Sequence, residues 1–361
     1  MTFKYKVLSI DGGGIRGIIP SMILAEIEQR TGKRIHEMFD LIAGTSTGGI
    51  IALGLTMPSQ QDSKQAKYYA KDLVELYKQE GSKIFKKNES FIEEWVEQRL
   101  REVLDFLHLP FAEIDELLSA KYPSEGRDTV LTNYFGDTAI HEALTEVFIT
   151  SYDTELRLPV FFTSQANKEV NRGRVFRKVC NGFTMKQAGM ATSAAPTFFE
   201  PYKVPTSQAE SGYYSLVDGG VFANNPTSLA VMEAIIDSKR DRRELQLEDI
   251  LVVSLGTGSL TRKYTYNKAK EWGLIGWIHP LINILMDGAS ESVAVQLEQL
   301  LPKADDRPPQ YYRFQGFLDA GKGNDDMDVV TPENISNLEG LARQIIREKE
   351  HQLTELCELL K

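Results

Sequence analysis

Cysteine is almost absent: Cys180 and Cys357 are the only two in the chain, far apart and in no metal-ligand spacing. That excludes a disulfide framework and a thiolate metal centre, and it fits a reducing compartment. Positive charge is short as well. With 41 Lys+Arg against 51 Asp+Glu the net charge is −10, so the chain as a whole attracts neither nucleic acid nor anionic lipid headgroups. Any membrane contact has to come from apolar surface or from a local basic patch. Long apolar runs are missing too. The best window, Trp272 to Met286, is interrupted by Gly273, Gly276, His279, Pro280 and Asn283 and falls short of the ~20 residues a membrane span needs. The first residues run straight into Val7-Leu8-Ser9-Ile10 with no apolar h-region, so a cytoplasmic protein is expected. There is no Gly-Lys-Ser/Thr phosphate loop, and neither a metal nor a cofactor is expected.

What is present is an ordinary globular composition, 42% hydrophobic and 25% charged, enough to bury a sizeable core. The pattern opens β-α-β-α. Val7–Ile10 reads as a strand, about Ser21 to Arg30 as a helix, Leu41–Ala43 as a buried strand and Ile50–Leu55 as a helix behind it. That order implies a parallel sheet covered by helices. Asp62 to Leu107 reads as helical, with Tyr68, Leu73, Leu76 and Tyr77 on one face and Phe91, Trp95, Leu100 and Leu107 among a second set. Pro110 to Asn133 reads as a polar connector, and Thr138 to Val147 as a further helix. Leu158–Thr163, Tyr213–Val217 and Ile250–Leu255 read as strands, with Tyr213–Val217 parallel to Val7–Ile10 and Leu41–Ala43 and ending on the same edge of the sheet, and Pro332 to Leu360 as one long amphipathic helix. With no repeat or linker, the expectation is one domain over 1–361. Its core spans about 5–230, with a helical insertion at about 60–130 and a C-terminal portion at about 231–361.

Gly44-Thr45-Ser46-Thr47-Gly48, between a strand and a helix, has the form of a nucleophile elbow, which presents a serine hydroxyl at a helix N-terminus. Ser46 is therefore the candidate nucleophile. The loop Gly12-Gly13-Gly14 can aim several backbone N–H groups into a cavity, with the positive Arg16 nearby. For a base, a Ser…Asp…His order would require His279 or His351. His351 lies among Glu348, Lys349 and Glu350, which marks a solvated helix face, and His279 precedes Pro280 in an apolar stretch. Asp218 ends a strand and is followed by Gly219 and Gly220, so it is the better partner, in a Ser–Asp dyad without histidine. A carboxylate at its ordinary pKa of ~3.9 is a weak base for a hydroxyl, so partial desolvation and strong oxyanion stabilisation are expected around it.

Together, Asp11-Gly-Gly-Gly-Ile-Arg-Gly17, Gly44-Thr-Ser-Thr-Gly48 and Asp218-Gly219-Gly220 resemble the patatin-like phospholipase family, as do Ser193-Ala-Ala-Pro-Thr-Phe-Phe199 and the Trp272–Gly288 stretch. The resemblance runs from about Tyr5 to the C-terminal helix. It implies a three-layer α/β/α sandwich with a mainly parallel sheet, and hydrolysis of acyl esters of phospholipids and related lipids. Ser46 would be the nucleophile and Asp218 the proton acceptor. Gly12, Gly13, Gly14 and Arg16 would form the oxyanion element, and Gly17, Gly44, Gly48, Gly219 and Gly220 would be motif glycines. The Ile84 to Asn133 region departs from the family's pattern, and no plant-type secretion signal is present. Some bacterial relatives are antiphage effectors switched on by cyclic nucleotides, so a cyclic-nucleotide activator is a family-level expectation.

Two alternatives come from other classes. Gly12-x-Gly14-x-x-Gly17 also satisfies the dinucleotide fingerprint of an NAD-binding protein, although Asp11 would repel a pyrophosphate and no acidic residue ends the second strand. A non-catalytic lipid-binding scaffold is the other. Peripheral membrane contact is expected through Trp272, Leu274, Ile275, Trp277, Ile278, Leu281, Ile284 and Leu285, unless that stretch is a core helix.

Overall fold

The computed structural model describes residues 3–86, 122–171, 175–240, 245–259, 261–301, 307–318 and 326–361. Its centre is a mixed, mostly parallel sheet in the order β10-β9-β1-β2-β3-β4-β6-β5, where β5 is Val170–Asn171 and β6 is Arg177–Val179, and β7 (Tyr202–Pro205) pairs with β8. The strands that position the site are β1 (Tyr5–Ile10), β2 (Leu41–Gly44), β3 (Glu146–Asp153), β4 (Leu158–Thr163), β8 (Tyr213–Asp218), β9 (Ile250–Leu255) and β10 (Tyr311–Phe314). β10, β9, β1, β2 and β3 run parallel. Their near-continuous apolar sequences are what strands buried on both faces require.

Alternation along these strands divides the core in two. Leu8, Ile42, Ile149 and Val253 pack to one side with the helices Ile18–Thr31, Thr47–Thr56 and Ala70–Ile84 and with the C-terminal helices. Val7, Leu41, Phe148 and Val252 face the other side, against Ala230, Ala234 and Leu297 of the helices Thr227–Arg240 and Leu274–Leu300. The result is the three-layer α/β/α sandwich.

Several expectations need correction. Residues 62–69 are irregular and the helix covers Ala70–Ile84; the set from Phe91 to Leu107 lies outside the described residues. Part of the expected connector is the helix Ser124–Phe135. The expected helix over Thr138–Val147 is a short turn, Ile140–Glu142, leading into β3. Val147, Phe148 and Ile149 pair with β2 there, and this pairing overrides the helix-favouring Glu142-Ala143-Leu144 before them. The C-terminal helix is two helices, Pro332–Glu348 and Glu350–Leu360, broken at Lys349.

The most informative correction concerns Tyr213–Val217, expected as one more parallel strand. β8 is antiparallel to β3, with Ser151 opposite Asp218 and Asp153 opposite Leu216. β4 takes one edge of β3, so β2 and β8 share the other edge. β2 covers Glu146 to Ile149, and β8 covers Ser151 to Asp153. The two strands therefore lie end to end and point their C-termini at one another.

Candidate active site

The gap between those two ends holds the site. β2 finishes at Gly44 and the chain reverses into the helix Thr47–Thr56 through Ser46, whose φ of 55° and ψ of −123° lie in a region that non-glycine residues avoid. Gly48 makes the tight reversal feasible, since a Cβ there would sit 2.1 Å from the Ile10 carbonyl oxygen of β1. The Ser46 N–H donates to Thr192 Oγ1 (2.9 Å), tying the elbow to the helix Met185–Thr192.

Asp218 arrives from the opposite direction on β8. It is buried. Its Oδ1 accepts the Gly220 N–H at 2.7 Å, and Gly219 packs against Thr150 of β3. The Ser46 hydroxyl lies near enough to the carboxylate to favour its charged form, while Oδ2 has no hydrogen-bond partner among the described residues. Catalytic hydrogen bonds are often slack before substrate binds. Burial pushes the Asp218 carboxyl up to about 6, against the opposing pull of Ser46, the Gly220 N–H and the Arg127 guanidinium. The expected desolvation is therefore present.

The glycine loop follows β1. A Cβ on Gly12 would meet Ser46 Cβ at 3.2 Å, so loop and elbow are in contact. The Gly12 N–H is already committed to the Asn224 carbonyl (3.0 Å), and its carbonyl accepts from Thr257 Oγ1 (2.7 Å). Gly13 and Gly14 make no such N–H bond among the described residues, and Gly14, with φ of +59°, lines the cavity. Arg16 departs from the expected geometry. Its buried side chain donates to the carbonyls of Gly13 (3.2 Å) and Gly258 (3.3 Å), so it braces the loop instead of facing Ser46. Gly17 starts the following helix against Thr47, and Gly44 abuts the Gly48 carbonyl.

Three anchors went unread in the sequence. Arg313 on β10 donates to both Asp11 oxygens (3.0 and 2.6 Å) and to Ser254 Oγ, which pins the start of the glycine loop and leaves Asp11 charge-paired. Asn224 holds Gly12 and donates to Ser290 Oγ. Arg127 is buried in the cavity wall, donates to the Ser193 carbonyl and lies 4.1 Å over the Phe199 ring. A Tyr-Tyr-Arg-Phe alternation could have flagged β10; nothing local marks Arg127.

Gly14, Ser46, Asp218 and Arg127 line an open, mainly apolar cavity walled by Ile50, Ile84, Phe85, Phe198, Phe199, Met286 and Met327. No histidine lines it among the described residues. A hydroxyl on a strained turn, a desolvated carboxylate and unspent backbone donors in an apolar cavity suit acyl transfer to serine.

Comparison with known proteins gives four findings. A family model described as "Patatin-like phospholipase" matches residues 8–231. The chain is 31% identical to "Patatin-like protein 1" of Arabidopsis thaliana, over 96% of this chain and 82% of that protein. It is 30% identical to "Probable inactive patatin-3-Kuras 1" of Solanum tuberosum, over 97% and 90%. Among solved structures, human GIVD cytosolic phospholipase A2 superposes with a TM-score of 0.45 at 10% identity, covering 99% of this chain and 60% of that one.

Proposed function

We propose, for a chain that belongs to the patatin-like phospholipase family, that it is a lipid acyl hydrolase in which Ser46 is the nucleophile and Asp218 the proton acceptor. One arrangement carries this reading: the strained Ser46 and a buried carboxylate with an uncommitted oxygen share a cavity with Gly14, in a loop whose Gly13 and Gly14 N–H groups are unspent among the described residues.

In this mechanism Ser46 Oγ attacks the ester carbonyl while Asp218 Oδ2 takes the hydroxyl proton. The Gly13 and Gly14 N–H groups hold the oxyanion, worth ~2.7–4 kcal/mol for each such donor. The tetrahedral intermediate collapses, the alcohol leaves with the proton from Asp218, and an acyl-serine remains. Water then repeats the cycle, giving its proton to Asp218 and releasing the fatty acid. The apolar wall would take the acyl chain. The portion after residue 231 contributes Met286, Met327 and Arg313 to the site, which supports reading 1–361 as one catalytic unit. The dinucleotide alternative is less well supported, since Gly12 faces Ser46 and Asn224. No described helix is long and apolar enough to cross a membrane, so lipid would be met by peripheral contact.

One of these relatives is named probably inactive, which makes the activity test the first requirement. Wild-type protein should hydrolyse a p-nitrophenyl ester and Ser46→Ala should not. Equal rates overturn the assignment, and an inert wild type favours the lipid-binding scaffold. The expectation of a cyclic-nucleotide trigger rests on family analogy alone. The same assay decides it: full activity without added nucleotide counts against it.

A further inference from the structure

The helix Leu274–Leu300 has its buried side and its bare side in the same few turns. Met286 is buried and lines the cavity with Ser46 and Asp218. Trp277, Leu281, Ile284 and Leu285 recur at steps of four, three and one, so they share a face, and they are 40–52% exposed. The core-helix alternative for this stretch therefore fails on that face. From Trp272 to Met286 there is no charged residue.

Immediately before it, residues 261–270 carry the exposed Lys263, Lys268 and Lys270, with no acidic residue in sequence until Glu271, while Arg262 pairs with Asp326 at 3.0 Å. Tyr266 is 80% exposed in the same segment. The basic segment is fastened to the apolar helix. Tyr264 meets Trp272 edge-on at 5.2 Å, Trp272 meets Trp277 at 5.0 Å, and Asn283 Nδ2 donates to Tyr264 Oη at 3.2 Å. A cationic strip with tyrosine and tryptophan along an apolar helix face is thus one continuous surface beside the cavity.

We infer that residues 261–285 form a docking surface for an anionic lipid bilayer. Ammonium groups would meet the headgroups, and the Trp277–Leu285 face would enter the headgroup–acyl boundary. The favoured occupant follows from charge. In a chain of net charge −10, three exposed lysines clustered at one place, Lys263, Lys268 and Lys270, make the molecule electrically lopsided. An anionic surface attracts that patch and repels the remainder, which turns the cavity beside Met286 toward the lipid. A second copy of the chain offers its own negative charge too, but spread over the molecule and without apolar depth. The inference rests on the acyl-ester reading of the cavity only for why the surface adjoins it; binding itself does not depend on that reading.

The test uses the full chain carrying Ser46→Ala, so that vesicles stay intact. Sedimentation with phosphatidylcholine vesicles, alone or mixed equally with phosphatidylglycerol, should show binding to the anionic vesicles that weakens with added salt. Lys263→Gln, Lys268→Gln and Lys270→Gln together should reduce that binding tenfold or more, and so should Leu281→Ser with Leu285→Ser. Placed in the otherwise wild-type chain, both sets should leave hydrolysis of a soluble short-chain ester unchanged and lower hydrolysis of vesicle lipid. Binding that is equal for both vesicles, or unmoved by both sets, overturns the inference. So does a dimer, seen by light scattering, that Leu281→Ser with Leu285→Ser dissolves. An inert wild type on the soluble ester with intact vesicle binding would sink the acyl-hydrolase reading and leave the docking surface standing.

Discussion

Strand β3 touches two buried carboxylate sites that differ in one respect. Near its C-terminal end Ser151 pairs with Asp218, which neutral donors and the Arg127 guanidinium help to hold. At its first residue, Glu146 sits with Glu233 and Asp237, their oxygens within 4.8 Å of one another. Two ammonium groups enter that second cluster: Lys168 bridges Glu146 and Asp237, and Lys178 pairs with Glu233. Burial raises both carboxyls, Asp218 to about 6 and Glu146 to about 7. A raised pKa therefore does not distinguish a reacting carboxyl from a structural one here. The partners do. Where lysines balance the charge, the group serves the fold. At Asp218 a hydroxyl on a strained turn takes the place of a lysine, which is the setting the proposed proton transfer needs.

The largest expected effect exploits that difference. Asp218→Asn should cut ester hydrolysis by about 10²–10⁴, while Glu146→Gln should leave it within about twofold. The same Asp218→Asn should make the fold more stable above pH 6. A carboxyl whose folded pKa is about 6 against 3.8 unfolded binds its proton more tightly when folded. Stability is therefore lost as pH rises from about 4 to 6, and removing the charge returns up to about 3 kcal/mol. Urea unfolding at pH 8 measures this, and a variant less stable than wild type would break the comparison.

Next in size, Lys178→Met should strand Glu233 in a buried setting and cost about 3–5 kcal/mol of stability, with kcat/KM unchanged for folded protein. A selective loss of kcat would mean that the two ends of β3 are coupled. The smallest effect is the shape of the pH profile. Below about pH 6 the rate should fall tenfold per pH unit as Asp218 protonates, and it should level off above. A midpoint that stays in place in Arg127→Gln would show that the guanidinium does not support the charge.

Each of the three motifs was readable because each is local. Gly44-Thr45-Ser46-Thr47-Gly48 specifies its own reversal, and Gly12-Gly13-Gly14 its own opening. Asp218 was proposed from the strand it ends and the two glycines that follow it. The division of labour inside those motifs was not readable. Gly12 and Arg16 look equivalent to Gly13 and Gly14 in sequence, yet Gly12 spends its N–H on Asn224 and Arg16 grips carbonyls behind the loop. Arg127 lay in a stretch read as connector, and its place in the cavity wall depends on the packing of Ser124–Phe135 against the helices Ala70–Ile84 and Met185–Thr192.

By itself the sequence determined the family and the layered α/β architecture, and it singled out the serine and the carboxylate proposed as the dyad, because turn chemistry and apolar periodicity act over a few residues. Only the tertiary structure decided that β8 enters from the opposite direction, that Arg313 anchors Asp11 from residue 302 positions away, and that the Trp277 face stays bare. Those outcomes depend on which strand edge is vacant and which helix face finds a neighbour, and both are properties of the assembled sheet.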